Sequence, residues 1–179
     1  MWWNLDETPW HSDTAVGHHA QAMQIAWYLD ETTAEQGSLR LIPGTHHPEF
    51  NRALFANCGR WDEGRGRLRL EPSEVPGVAI HTQPGDAVMF DNRIYHSALK
   101  RKDGRARRNL FFQYMRDPVD ELEALGLLRL SVSSRTSDKR PYLYSDRLMA
   151  HNLPALRSMA ERLRELGVPN PCAPEFLSK

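Results

Sequence analysis

Along residues 22–29, Met23, Ile25, Trp27 and Leu29 interleave with Gln24, Ala26 and Tyr28. A period of two predicts a strand. Asp30-Glu31-Thr32-Thr33 begins a polar loop, Gln36-Gly37 turns the chain, and Leu39-Arg40-Leu41-Ile42 reads as a second short strand stopped by Pro43-Gly44. Phe50, Leu54 and Phe55 share a face if residues 48–57 are helical. Residues 57–66 read as loop, and Leu68 and Leu70 alternate with arginines as in an exposed strand. Val78 to Thr82 is a further strand, Pro84-Gly85-Asp86 a tight turn, and Ala87 to Phe90 a buried strand. Arg93 to His96 and Asn109 to Tyr114 complete the β pattern, with a basic hairpin tip at residues 100–106 between them. After Pro118 the period changes. Val119 to Leu122 starts a helix with acids in its first turn, and residues 124–140 show no clear period. Residues 154–166 place Leu156, Met159, Leu163 and Leu166 on one face, with Gly167 and Pro169 closing the helix. Short strands with Gly/Pro turns, followed by helices, indicate a mainly β jelly roll with C-terminal helices. The division falls at residues 1–117 for the β core and 118–179 for a helical extension packed on it.

Composition narrows the partners. The 179 residues suit one core, and 40% hydrophobic with 26% charged residues marks a globular chain. Lys+Arg and Asp+Glu both number 23. A net charge of zero argues against nucleic acid or an anionic membrane as partner and leaves little repulsion against self-association. Two cysteines, Cys58 and Cys172, make no disulfide framework. With neither a signal-peptide pattern at the start nor a membrane-length apolar run, the cytoplasm is the expected location.

The chemistry sits in His11-Ser12-Asp13 and His96. Two imidazoles and a carboxylate form the set that holds non-heme iron(II) on one face and leaves other positions open. On a strand, His11 and Asp13 face the same way, and Ser12 points elsewhere. The triplet alone is weak, since a surface His beside a solvated Asp looks the same. His96, after an apolar strand and before a basic turn, strengthens it. Of the other histidines, His18, His19, His46 and His47 stand in loop-like settings, His81 suits either strand face, and His151 belongs to the tail. An acidic co-substrate would need an arginine nearby. Arg107 shares a face with Asn109, Phe111 and Gln113, a mixed polar and aromatic wall; Arg108 shares one with Leu110 and Phe112. Parity favours Arg107, with Arg105 as its rival, while Lys100, Arg101 and Lys102 read as a surface cluster.

With these residues in place, the chain resembles the phytanoyl-CoA dioxygenase family of iron(II)/2-oxoglutarate oxygenases. The stretches that carry the likeness are Trp10-His11-Ser12-Asp13, Ala26 to Asp30 with Gly37-Ser38-Leu39, Ile42-Pro43-Gly44-Thr45-His46, Pro84 to Asp91, and His96-Ser97 through Arg107-Arg108. The resemblance implies a double-stranded β-helix (a cupin-like jelly roll) with His11, Asp13 and His96 as catalytic iron ligands. It places Arg107 at the usual offset for the residue that binds the far carboxylate of 2-oxoglutarate, and matches Trp27 to a pocket-lining position. The implied cofactors are Fe(II) and 2-oxoglutarate, with ascorbate a further candidate. The implied reaction is hydroxylation of an unactivated C–H bond of a small molecule by O2, releasing succinate and carbon dioxide. An intact Asp13 favours hydroxylation over halogenation, which needs a small residue there. Ser12 departs from a frequent Gln. Ten residues precede His11, so the usual N-terminal region is expected to be lacking, and a barrel short of a strand would expose a pairing edge.

Two other readings stand beside the hydroxylase. One is a non-catalytic or degenerate metal-binding jelly-roll module. The other is a cupin-like metalloenzyme that uses no 2-oxoglutarate, against which Arg107 argues. The substrate is not legible in the residues.

Overall fold

The structure is a computed structural model and describes residues 2–4, 7–13, 22–58, 60–62, 67–68, 74–75, 77–137 and 141–177. Its chain separates into two compact units, Met1–Arg116 and Asp117–Lys179.

The first unit is a double-stranded β-helix. One antiparallel sheet runs in the order β1 (Trp2–Asn4), β10 (Arg107–Met115), β3 (Ala22–Tyr28), β8 (Ala87–Asp91). The other runs β2 (Thr8–His11), β9 (Tyr95–Ala98), β4 (Leu39–Ile42), β7 (Val78–Ile80). Each sheet therefore has four strands. Trp2–Asn4 forms one edge of the first sheet, pairing with β10 from Trp2↔Asn109 to Asn4↔Arg107.

The interior lies between the sheets. Ala26, Tyr28 and Phe90 from the first sheet meet Leu39 and Leu41 from the second. In β3 the period of two holds, but the buried set is Ala22, Gln24, Ala26 and Tyr28. The more apolar set faces outward: Met23 is 37% and Trp27 47% exposed. Period alone assigns two faces but does not say which faces the core.

Between β4 and β7 the chain makes a long excursion. It holds α1 (Pro48–Cys58) and a small hairpin of β5 (Arg60–Asp62) and β6 (Arg67–Leu68). The excursion covers the outer face of the second sheet, where Trp10, Ile42, Val75 and Tyr95 form another apolar cluster with Leu54 of α1. Gly77 closes it tightly. A Cβ at Gly77 would lie 2.3 Å from the Trp10 ring. Leu70, expected in a strand with Leu68, lies outside the described residues, as does the side chain of Phe55.

The second unit is helical. The uncertain stretch after Leu122 is α2 (Glu121–Ser137). The Asp120 carboxylate accepts from the Glu123 backbone N–H at 2.8 Å, and the Glu123 carboxylate accepts from the Val119 N–H at 3.1 Å. This reciprocal capping starts the helix. Gly126 and the serine-rich second half, poor helix formers, blur its period. A short α3 (Asp146–Met149) and α4 (Pro154–Glu165) follow. Here Met149, Ala160 and Cys172 form the buried centre, with Leu156 packed on it. Met159, expected on the buried face of α4, is 41% exposed. Among the described residues, no helix is long and apolar enough to cross a membrane.

Candidate metal centre

His11 ends β2 and His96 stands opposite it on β9, paired in register. The β2 strand carries a register shift between Thr8 and His11. Such bulges re-aim side chains near functional sites. Asp13 lies past the strand end, held by its backbone N–H to the Asn92 carbonyl at 3.0 Å. The strand alternation expected to bring His11 and Asp13 together is thus replaced by a strand end and a pinned turn, with the same result.

The three side chains converge. The ligand-type atoms of His11, Asp13 and His96 lie within 4.8 Å of one another. His11 Nε2 is 3.5 Å, and His96 Nε2 3.8 Å, from Asp13 Oδ1. Both imidazoles are oriented through their other nitrogen: His11 Nδ1 bonds the Pro9 carbonyl at 2.7 Å and His96 Nδ1 the Ile94 carbonyl at 2.9 Å. A carbonyl only accepts, so each Nδ1 carries a proton, and Nε2 is the nitrogen that each ring presents on the Asp13 side. Burial, and then the nearby His11, pushes the His96 pKa down to about 4. Burial works to raise the Asp13 carboxyl, but the hydrogen bond from His11 and the charges of His96 and His11 together outweigh it and hold the group below its ordinary range. A divalent metal requires unprotonated imidazole nitrogens and an ionised carboxylate of its ligands, and the lowered pKa values of His96 and Asp13 favour those states. Phe90 closes one side, its ring 5.0 Å from that of His96.

Arg107 lies on the same interior. It is 8% exposed, and its Nη1 donates to the Gly37 carbonyl. Its Nε is buried without a partner, and among the described residues no carboxylate pairs with it. A buried guanidinium without a counter-ion is costly unless an anion comes to it. Beside it Tyr28, 1% exposed, has its hydroxyl pKa pushed up to about 12 by burial, with the positive charge of Arg107 pulling the other way. Asn109, one rung along β10, has a buried amide nitrogen without a partner. Arg105 is exposed at the hairpin tip, and Arg108 pairs with Asp30.

The remaining expectations divide. Trp27 is not brought to this face. It sits opposite Leu110 and Ala87 in register, whereas Arg107 shares its face with Asn109 and Tyr28. The pocket-facing aromatic of β3 is therefore Tyr28, one residue on, which the sequence hides because a Trp and a Tyr stand side by side. His46 and His47 stack on each other with ring centroids 3.9 Å apart, outside the cluster. His81 and His151 are exposed, and His18 and His19 lie outside the described residues.

A double-stranded β-helix carrying a convergent His-Asp-His set at its centre defines a class of metal-binding jelly rolls. Within it, the chain belongs to the phytanoyl-CoA dioxygenase (PhyH) family, whose model matches residues 5–109. It is 33% identical over 129 residues to L-proline trans-4-hydroxylase of Streptomyces griseoviridis, a match covering 60% of this chain and 48% of that protein. The chain thus spans about half the length of the curated relative it matches. Solved structures resemble it less closely. EvdO2 of Micromonospora carbonacea var. aurantiaca, solved with 2-oxoglutarate, is 27% identical, with 61% of this chain and 45% of that one covered at a TM-score of 0.46. EctD of S. alaskensis is 24% identical, with 62% and 38% covered at a TM-score of 0.42.

Proposed function

We propose that this chain is an Fe(II)/2-oxoglutarate-dependent dioxygenase that hydroxylates an unactivated C–H bond of a small molecule. The observation that carries the reading is Arg107: a buried guanidinium with no acidic partner among the described residues, facing the interior that also holds His11, Asp13 and His96. His11, Asp13 and His96 would hold Fe(II). Arg107, with Tyr28 and Asn109 beside it, would receive the far carboxylate of 2-oxoglutarate. The bound iron supplies the activation of O2, and the overall reaction is R–H + O2 + 2-oxoglutarate → R–OH + succinate + CO2.

The residues of the chain do the positioning. The carbonyls of Pro9 and Ile94 fix the tautomer and the ring plane of each histidine. Phe90, Leu39 and Leu41 line the space with apolar groups and keep water from it. The orphaned Nε of Arg107 gains an acceptor when the diacid enters, so the free-energy cost of burying the guanidinium is offset only in the loaded state.

Anaerobic titration tests this. Fe(II) and 2-oxoglutarate together should give a weak visible charge-transfer band. His96→Ala should lose it, and Arg107→Met should raise the 2-oxoglutarate needed for half-saturation by roughly ten- to a hundredfold, the size of a charged hydrogen bond. No band with the intact chain defeats the proposal. A band without succinate release on any substrate points instead to a metal-binding jelly roll that does not turn over.

A further inference from the structure

We infer that Asn92 is a positioning residue of the metal centre, whose amide holds the carboxylate oxygen of Asp13 that a bound metal leaves free. The inference rests on the reading of His11, Asp13 and His96 as metal ligands.

The fold carries Asn92 to the site. Phe90 faces the interior, its ring 5.0 Å from that of His96. Asp91, paired in register with the exposed Met23, faces outward at the end of β8. Asn92 comes next, so its side chain falls on the inner face again. Its backbone is tied on both sides. The N–H donates to the Ala22 carbonyl at 3.0 Å, and the carbonyl accepts from the Asp13 N–H at 3.0 Å. Segments joined in this way run about 5 Å apart. Asp13 turns its carboxylate toward the two imidazoles, and Asn92 turns its amide into the same interior, so the two side chains are neighbours.

The amide has hydrogen-bonding capacity that the fold does not use. Asn92 is 0% exposed, and among the described residues neither its Nδ2 nor its Oδ1 has a partner. An amide buried in this way destabilises the fold. Ala22, to which its N–H is tied, is apolar and equally enclosed, so packing alone would favour an apolar residue at position 92.

Asp13 has the complementary need. Both rings approach it through Oδ1, and the side-chain hydrogen bond to its carboxylate comes from His11. A metal held by His11 Nε2 ends that bond, because a nitrogen that binds a metal has no proton to give. The carboxylate would then hold the metal through one oxygen and need a donor at the other, as ligating carboxylates generally do. Arg93, the next residue along, is already committed to Asp91. The Asn92 amino group is the buried donor on the backbone tied to Asp13, and side-chain rotation brings the two together. That contact fixes the plane of the carboxylate and so the direction in which it meets the metal.

The test needs only a metal. The full chain, freed of metal by chelation, is titrated anaerobically with Co(II), whose visible absorption reports the geometry of its ligands. Asn92→Leu exchanges an unpaired amide for an apolar group of similar size, so the chelated variant should melt no lower than the chelated parent. Its Co(II) affinity should nonetheless fall by about ten- to a hundredfold, and the visible band should change shape. Unchanged affinity overturns the inference. A loss of affinity accompanied by a lower Tm of the chelated variant overturns it too, since general damage to the fold would do the same. If Asn92→Leu does not fold, Asn92→Ser against Asn92→Ala decides: tighter Co(II) binding by the serine variant, which keeps a donor, supports the inference, and equal binding overturns it. An intact chain that binds no Co(II) sinks the ligand reading and this inference with it, whereas tight binding by parent and variant alike sinks the inference alone.

Discussion

At the scale of single residues, the site depends on which of two neighbours turns inward. Trp27 and Tyr28 stand side by side on β3, and the sheet can admit only one of them to the interior. Tyr28 is the one beside Arg107. Replacing Tyr28 by Phe removes a hydroxyl next to the guanidinium, and the 2-oxoglutarate concentration for half-saturation should rise by roughly three- to tenfold. Trp27→Ser, on the opposite face, should leave that value where it was. Equilibrium titration of both variants checks the pair, and equal effects would mean that the faces are assigned the wrong way round. Of the candidate ligands, His11, Asp13 and His96 were legible by residue type and spacing. The orientation of each imidazole was not, because it depends on the carbonyls of Pro9 and Ile94 reaching back two residues in a particular backbone conformation.

At the scale of elements, the strand pattern was largely readable. The β4 strand falls on the expected Leu39–Ile42, and β3, β8 and β10 lie within a residue or two of expectation. The missed strand, Trp2–Asn4, is too short for periodicity to register and becomes a strand by pairing with β10. Strand ends are tied by side chains. Asp30, just past β3, accepts from the Arg108 backbone N–H at 2.8 Å and from its Nε at 3.0 Å, joining the end of β3 to β10. These Arg108 hydrogen bonds hold the Asp30 carboxyl below its ordinary range against a smaller opposing effect of burial. A carboxylate with a depressed folded-state pKa stabilises the fold above its unfolded value, about 3.9, and that contribution fades as pH falls through the folded-state value. Asp30→Asn should therefore lower Tm at pH 7, and the gap between variant and parent should narrow steadily below about pH 4. Thermal melts across that range would show it, and a gap independent of pH would rule out the ion pair as its source.

At the scale of the whole molecule, one sheet face remains apolar and open. Met23, Trp27, Met89, Phe112 and Tyr114 all point outward from the first sheet and are between 37% and 64% exposed. Contiguous apolar surface of this kind drives association, and a net charge of zero does little to oppose it. The protein should associate as its concentration rises. The double change Met89→Glu and Phe112→Lys should shift sedimentation toward the monomer without altering the charge-transfer band, and a monomer at all concentrations in the parent chain would refute the expectation. The sequence by itself determined the kind of protein this is. Turn residues and strand periods impose a jelly roll followed by helices, and the residue types at positions 11, 13, 96 and 107 restrict the chemistry, because both follow from local backbone preference and from what each side chain can bind. The tertiary structure alone decided which face of each strand is interior. That choice comes from pairing between strands distant in sequence, and it is what set Tyr28 beside Arg107 and buried the guanidinium with no carboxylate paired to it among the described residues.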